Sequence, residues 1–108
     1  MKIPLHLFFA AVILNSSLAL AANHMVTMKS LSFDPVKIEI KAGDTIEWTN
    51  ISYTEHSALS EENPPLFDTG RVKPKNHSAK ILLTKPGTFK YRCSVHGKTM
   101  SGEVVVVP

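Results

Sequence analysis

Eight consecutive residues, Cys93-Ser94-Val95-His96-Gly97-Lys98-Thr99-Met100, hold the chain's single cysteine, one of its five histidines and one of its four methionines. Thiolate and thioether sulfur are soft ligands, and imidazole suits copper, zinc, iron and nickel. Three copper-compatible donors therefore share one short segment. A fourth has to come from elsewhere, and His56 is the leading candidate. Two histidines, a cysteine and a weakly bound methionine are a known pattern of electron-transfer copper, and this donor set matches it.

The chain around this segment is 108 residues long, which suggests one domain. Its first part reads as something else. Lys2 gives a positive start, Leu5 to Leu14 an apolar core, and Ala19-Leu20-Ala21 a small-x-small cleavage site. Residues 1–21 are therefore expected to be a secretory signal peptide that is removed, with residues 22–108 as the mature domain. The apolar run falls short of the roughly 20 residues a membrane span needs, so no membrane anchor is expected. His6 leaves with the leader. Without Lys2 the net charge falls from +3 to +2, too small to argue for nucleic acid.

Exported proteins often use paired cysteines. A lone exported thiol is reactive, paired between chains or bound to metal, and its neighbours favour metal. A small domain also gains stability from a bound ion.

The elements that must position these donors read as strands. Met25 to Phe33 alternates loosely. Val36, Ile38 and Ile40 alternate with Lys37, Glu39 and Lys41, a period of two. Ala42-Gly43-Asp44 is a turn, and Thr45 to Asn50 follows with Ile46 and Trp48 on one face. Ile51 to Pro65 is a long connection that carries His56. Leu66 to Thr69 reads as a short edge strand. His77, Ala79, Ile81 and Leu83 share a face of the next strand, and Phe89, Tyr91 and Cys93 a face of the one after Pro86-Gly87. Val104 to Val107, continuously β-branched, reads as a central, covered strand. No helical period follows the leader. The expected fold is all-β, a Greek-key β-sandwich of about seven to eight strands.

Taken together, several motifs carry a resemblance. They are Phe33-x-Pro35, Ala42-Gly43-Asp44-Thr45, Trp48-Thr49-Asn50 with His56 six residues on, Pro86-Gly87-Thr88-Phe89-x-Tyr91-x-Cys93, and the closing Met100-x-Gly102. Over nearly the whole mature chain the sequence resembles the small blue copper proteins, the plastocyanin, amicyanin and pseudoazurin group of the cupredoxin family. The resemblance implies one copper ion in a type 1 site, with strong bonds from His56, Cys93 and His96 and a weak axial one from Met100.

Three features differ from the family pattern. Three residues separate His96 from Met100, between the two of amicyanin-like loops and the four of plastocyanin-like ones. Val95 stands where proline is common, and its N–H is expected to donate to the Cys93 sulfur. Ser57 follows His56 where asparagine is common, so a weaker side-chain link between the two ligand segments is expected. A second copper site is conceivable at Ala22-Asn23-His24: cleavage after Ala21 would free an amine ahead of two amides and a third-position imidazole, a square-planar nitrogen set.

The expected function is that of a periplasmic one-electron carrier cycling Cu(II) and Cu(I). It would be a monomer, meeting a c-type cytochrome or a dehydrogenase or reductase in transient contacts. The alternative is a carrier or chaperone that buffers or delivers copper with the same residues. Zinc in the same pocket is a further rival. An enzyme is not expected, because no second cluster of histidines is present for a catalytic copper.

Overall fold

Alternation is clearest along Asp44–Asn50, where Ile46 and Trp48 are buried between Asp44 and Asn50 and the intervening residues are half-buried. Period-two burial of this kind sends alternate side chains to opposite faces of a sheet. The computed structural model describes residues 20–108; the leader read over residues 1–21 lies, apart from Leu20 and Ala21, outside the described residues.

Among the described residues eight strands form: β1 (Asn23–Met28), β2 (Phe33–Asp34), β3 (Lys37–Lys41), β4 (Asp44–Asn50), β5 (Leu59–Ser60), β6 (Ile81–Leu83), β7 (Gly87–Cys93) and β8 (Gly97–Val107). One sheet has the order β2-β1-β4-β6 and the other β3-β8-β7-β5. The chain crosses between the sheets at each connection from β2 to β7, giving the expected sandwich. β1 runs parallel to β4 and β3 parallel to β8; the other pairs are antiparallel. β8 lies between β3 and β7, so Val104 and Val106 are buried in a central strand as read from their β-branched run.

Four local readings change. The first strand is two, because Lys29 N–H bonds the Ser32 carbonyl at 2.8 Å and folds the run into a hairpin. The serines there are weaker turn signals than glycine or proline. Val36 is exposed, ahead of the ladder that begins at Lys37. The edge strand is Leu59–Ser60, within the connection read as irregular; Leu66 to Thr69 makes only a single bridge to it, Leu59 to Asp68. The strand near His77 is confined to Ile81–Leu83. Ser78 turns inward instead, its Oγ accepting Trp48 N–H at 3.0 Å, while Ala79 and His77 face out. His77 pairs with Glu47 at 2.7 Å, a surface role.

Between the sheets, Trp48 stacks on Phe67 and meets Tyr91 edge-on, both at 5.5 Å between ring centroids, and Phe33 meets Tyr91 at 4.7 Å. Such offset and edge contacts suit the aromatic quadrupole. Burial pushes the Tyr91 hydroxyl up to about 12. Gly102 on β8 leaves room for that ring: a Cβ there would lie 2.5 Å from Tyr91 Cζ. This packing fixes β7 against β8 immediately below Cys93.

Candidate metal centre

Cys93 is the last residue of β7. Phe89, Tyr91 and Cys93 alternate inward, so the strand period that buries the aromatics also aims the thiol into the core, where it is fully buried. The ladder then breaks. Pairing steps from Arg92 with Ser101 to Cys93 with Gly97, which leaves Lys98, Thr99 and Met100 outside it. Ser94-Val95-His96 forms the turn, and Gly97 closes it at φ +64°, a left-handed conformation that glycine adopts without strain. Bulges of this kind re-aim side chains beside functional sites. Here Met100 is turned into the core and fully buried.

His56 comes from the β4–β5 connection, yet that segment is not loose. His56 N–H bonds the Val72 carbonyl at 3.2 Å, and Val72 N–H bonds the His56 carbonyl at 2.7 Å. Asn50, at the end of β4, shapes the segment from below. Its Nδ2 donates to the Thr54 and Val72 carbonyls at 2.8 and 2.9 Å, and its Oδ1 accepts from Ser52 N–H and Oγ at 2.8 and 2.7 Å. The whole hydrogen-bonding capacity of this buried amide is therefore used.

The three donors converge. Cys93 Sγ lies 3.8 Å from His56 Nδ1 and 3.5 Å from His96 Nδ1, and all three atoms are within 4.8 Å of one another. Ligands about 2.0–2.3 Å from a shared ion, at roughly 100–120° to each other, stand about 3.3–3.7 Å apart. The observed spacings fit a common ion. The two imidazoles are 5.0 Å apart between ring centroids and tilted by 50°. Burial, then the nearby His96, holds His56 below the usual imidazole range, so it is neutral at pH 7. Its Nε2 lies 3.5 Å from Thr54 Oγ1; a proton on Nε2 leaves the Nδ1 lone pair facing the thiol. One thiol and two imidazoles form a donor set suited to copper or zinc.

Two expectations about the surroundings change. Ser57 and Ser94 make a firm link between the ligand segments: Ser94 N–H donates to Ser57 Oγ at 2.8 Å, and the two hydroxyls are 2.6 Å apart. A second serine supplies the reach that the shorter side chain lacks. The Val95 N–H is not among the polar atoms found beside Cys93 Sγ within the described residues; those atoms are the two ring nitrogens. Val95 itself is exposed, and His96 half-exposed. Neither Asn50, named only within the Trp48-Thr49-Asn50 motif, nor Ser94 carries a signal of its role in the sequence. Each is small, polar and unremarkable in composition, and what sets them apart is a partner distant along the chain.

At the other end of the strands, Ala22 and His24 both contact Asp44, at 2.9 Å each. Within the described residues, no helix is long and apolar enough to cross a membrane.

Residues 4–106 match the family model described as a cupredoxin-like domain. Amicyanin-alpha of Methylorubrum extorquens is 29% identical over 80% of this chain and 73% of its own length. Plastocyanin of a Synechococcus strain is 29% identical over 89% of this chain and 82% of its own. A purple cupredoxin from Nitrosopumilus maritimus, 22% identical, superposes with a TM-score of 0.68 over 77% of this chain and 98% of that one. A Cu-containing nitrite reductase from Thermus scotoductus is 26% identical with a TM-score of 0.71, but this chain spans only 24% of it.

Proposed function

The chain belongs to the cupredoxin-like family, and on that premise we propose that it is a periplasmic one-electron carrier with a single copper ion held by His56, Cys93, His96 and, more weakly, Met100. The observation that carries this reading is the convergence of one thiol and two imidazoles at metal-sharing distances within a rigid two-sheet shell. Copper supplies the one-electron couple. The residues supply the rest. β7 and the Asn50-braced segment hold Cys93 and His56 through ladder and amide hydrogen bonds, so a change of charge at the ion would find little to rearrange. Burial of Cys93 and His56 excludes water, and the fully buried Met100 adds an apolar sulfur to the same loop.

Half-exposed His96 is the short way to the surface, with Val95, Gly97 and Lys98 as contact residues for a transient partner, a c-type cytochrome or a periplasmic dehydrogenase or reductase. Relatives named amicyanin and plastocyanin over most of the chain support a carrier and not an enzyme. The small-x-small motif at Ala19-Leu20-Ala21 supports export.

Absorption and electron spin resonance of the oxidised, copper-loaded protein test the site. An intense thiolate-to-copper band is expected, and Cys93→Ser should abolish it. A colourless copper form would overturn the reading. Ready handover of Cu(I) to an apo acceptor, with slow electron self-exchange, would instead mark a copper-delivery protein.

A further inference from the structure

Asp44 stands at the start of β4, with its side chain 9% exposed. Three donors reach its carboxylate. Ala22 N–H donates to Oδ1 at 2.9 Å, Lys41 N–H donates to Oδ2 at 3.0 Å, and His24 Nε2 lies 2.9 Å from the same Oδ2. Two of these are neutral backbone groups. Among the described residues no lysine or arginine side chain pairs with Asp44. A carboxylate so enclosed has its oxygens satisfied but no permanent counter-charge among the described residues, and a cation in place of one neutral donor would give a stronger, charge-assisted bond.

We infer that Asp44 is the receptor for a new amino terminus: cleavage between Ala21 and Ala22 turns the Ala22 nitrogen into an ammonium that pairs with the Asp44 carboxylate. The donor already stands in place, so the charge is gained without movement. Residue 22 is also held by its carbonyl, which accepts Thr45 N–H at 3.0 Å. One residue earlier the hold is gone: among the described residues Ala21 makes no hydrogen bond, and Leu20 is 91% exposed. The anchored body therefore begins at Ala22. Cleavage one residue later would delete both the nitrogen that Oδ1 accepts from and the carbonyl that Thr45 uses. Hydrolysis of the Ala21–Ala22 peptide consumes one water, leaving a carboxylate on Ala21 and an ammonium on Ala22.

The same geometry gives His24 a structural use. A square-planar amino-terminal copper site needs the Ala22 amine and the Asn23 and His24 amides gathered on one metal. In β1, paired in register with β4 from Asn23 with Thr45 onward, successive amides point to opposite sides. His24 Nε2 is meanwhile bound to Asp44. Glu39 and Lys41 are the other charged residues lining this recess.

The inference rests on the export reading, and the test separates the two. The exported protein is sequenced from its amino terminus. The Ala22-starting chain is then compared with its Nα-acetylated form, which keeps the N–H but loses the charge, each with and without Asp44→Asn. The α-amine of the unmodified chain, followed by NMR titration, should bind its proton at least tenfold more tightly than an ordinary terminus near pH 8. Asp44→Asn should remove that excess. Acetylation should lower the thermal midpoint only when Asp44 is present. An ordinary amine titration, equal effects of acetylation in both backgrounds, or a second equivalent of square-planar Cu(II) on the unmodified chain would overturn the inference. So would an exported chain that begins at Asn23. An unprocessed chain would overturn the export reading along with it.

Discussion

His56 and His96 each bring a ring Nδ1 close to Cys93 Sγ, at 3.8 and 3.5 Å, but the two segments that carry them are held in opposite ways. The His56 segment is braced from both sides. A two-way backbone bridge to Val72 fixes its course, and the four-bond amide of Asn50 fixes its shape. Its imidazole is fully buried. The His96 segment is a three-residue turn off the end of β7. It is tied across by the Ser57–Ser94 pair and backed by the Tyr91–Gly102 contact, and its imidazole is half-exposed. One imidazole is thus part of the scaffold, and the other reaches the surface. The proposed carrier needs both: stiffness keeps rearrangement small, and access keeps the path to the surface short.

Substitutions that weaken one brace at a time can break this contrast. Asn50→Ala should cost the most, about 3 kcal/mol or more of stability, because it removes the four hydrogen bonds of a buried amide at once and leaves the Ser52 N–H without its acceptor. Denaturant midpoints of the metal-free protein check this. A cost near zero would mean that the His56 segment is not braced by the amide.

Gly102→Ala should come next, at about 2 kcal/mol, since the new methyl meets the Tyr91 ring and must push β7 and β8 apart. Its spectral signature should be a change in the Cys93 thiolate band. Ser57→Ala should be milder, about 1 kcal/mol, and should shift the copper spectrum through the turn carrying Ser94 and His96. If Ser57→Ala proved as costly as Asn50→Ala, the two segments would be braced alike.

The smallest effect lies at the far end of β4. Asp44 and Asn50 bound this strand, and six residue steps of about 3.3 Å place them roughly 20 Å apart. The Ala22 N–H, then His24 and the Lys41 N–H, lower the Asp44 carboxyl from 3.8 to about 2. A carboxyl lowered on folding stabilises the fold above its ordinary value, and that contribution is lost as pH falls through the folded one. Between about pH 4 and pH 2 the β1 amides should therefore lose hydrogen-exchange protection, and Asp44→Asn should remove that pH dependence while leaving the separate one that the charging of buried His56 imposes on the Asn50-braced segment. A loss in β1 that Asp44→Asn left unchanged would show that this carboxylate is not its cause.

Some of this was legible in residue order. Alternation over Thr45–Asn50 and Phe89–Cys93 gave strands with their buried faces, because a side chain's face in a strand depends only on odd or even position. Donor types within Cys93 to Met100, with His56, pointed to a metal and to the residues that would hold it. Those are properties of side chains and short spacing, and they survive without coordinates. The same order misread Val36 and the run around His77, where an inward Ser78 takes a backbone partner and disturbs the alternation.

Tertiary structure decided how firmly each donor is held. Ser57 meets Ser94 across 37 positions, Asn50 meets Val72 across 22, and Ala22 meets Asp44 across 22. Residue order does not encode such partners, because crossing between two sheets joins segments whose separation along the chain has no fixed relation to their distance in space. The residues alone thus specified which atoms could bind a metal. The packed sandwich determined that one imidazole is built into the frame, that the other faces outward, and that a carboxylate at the opposite end gathers Ala22, His24 and Lys41.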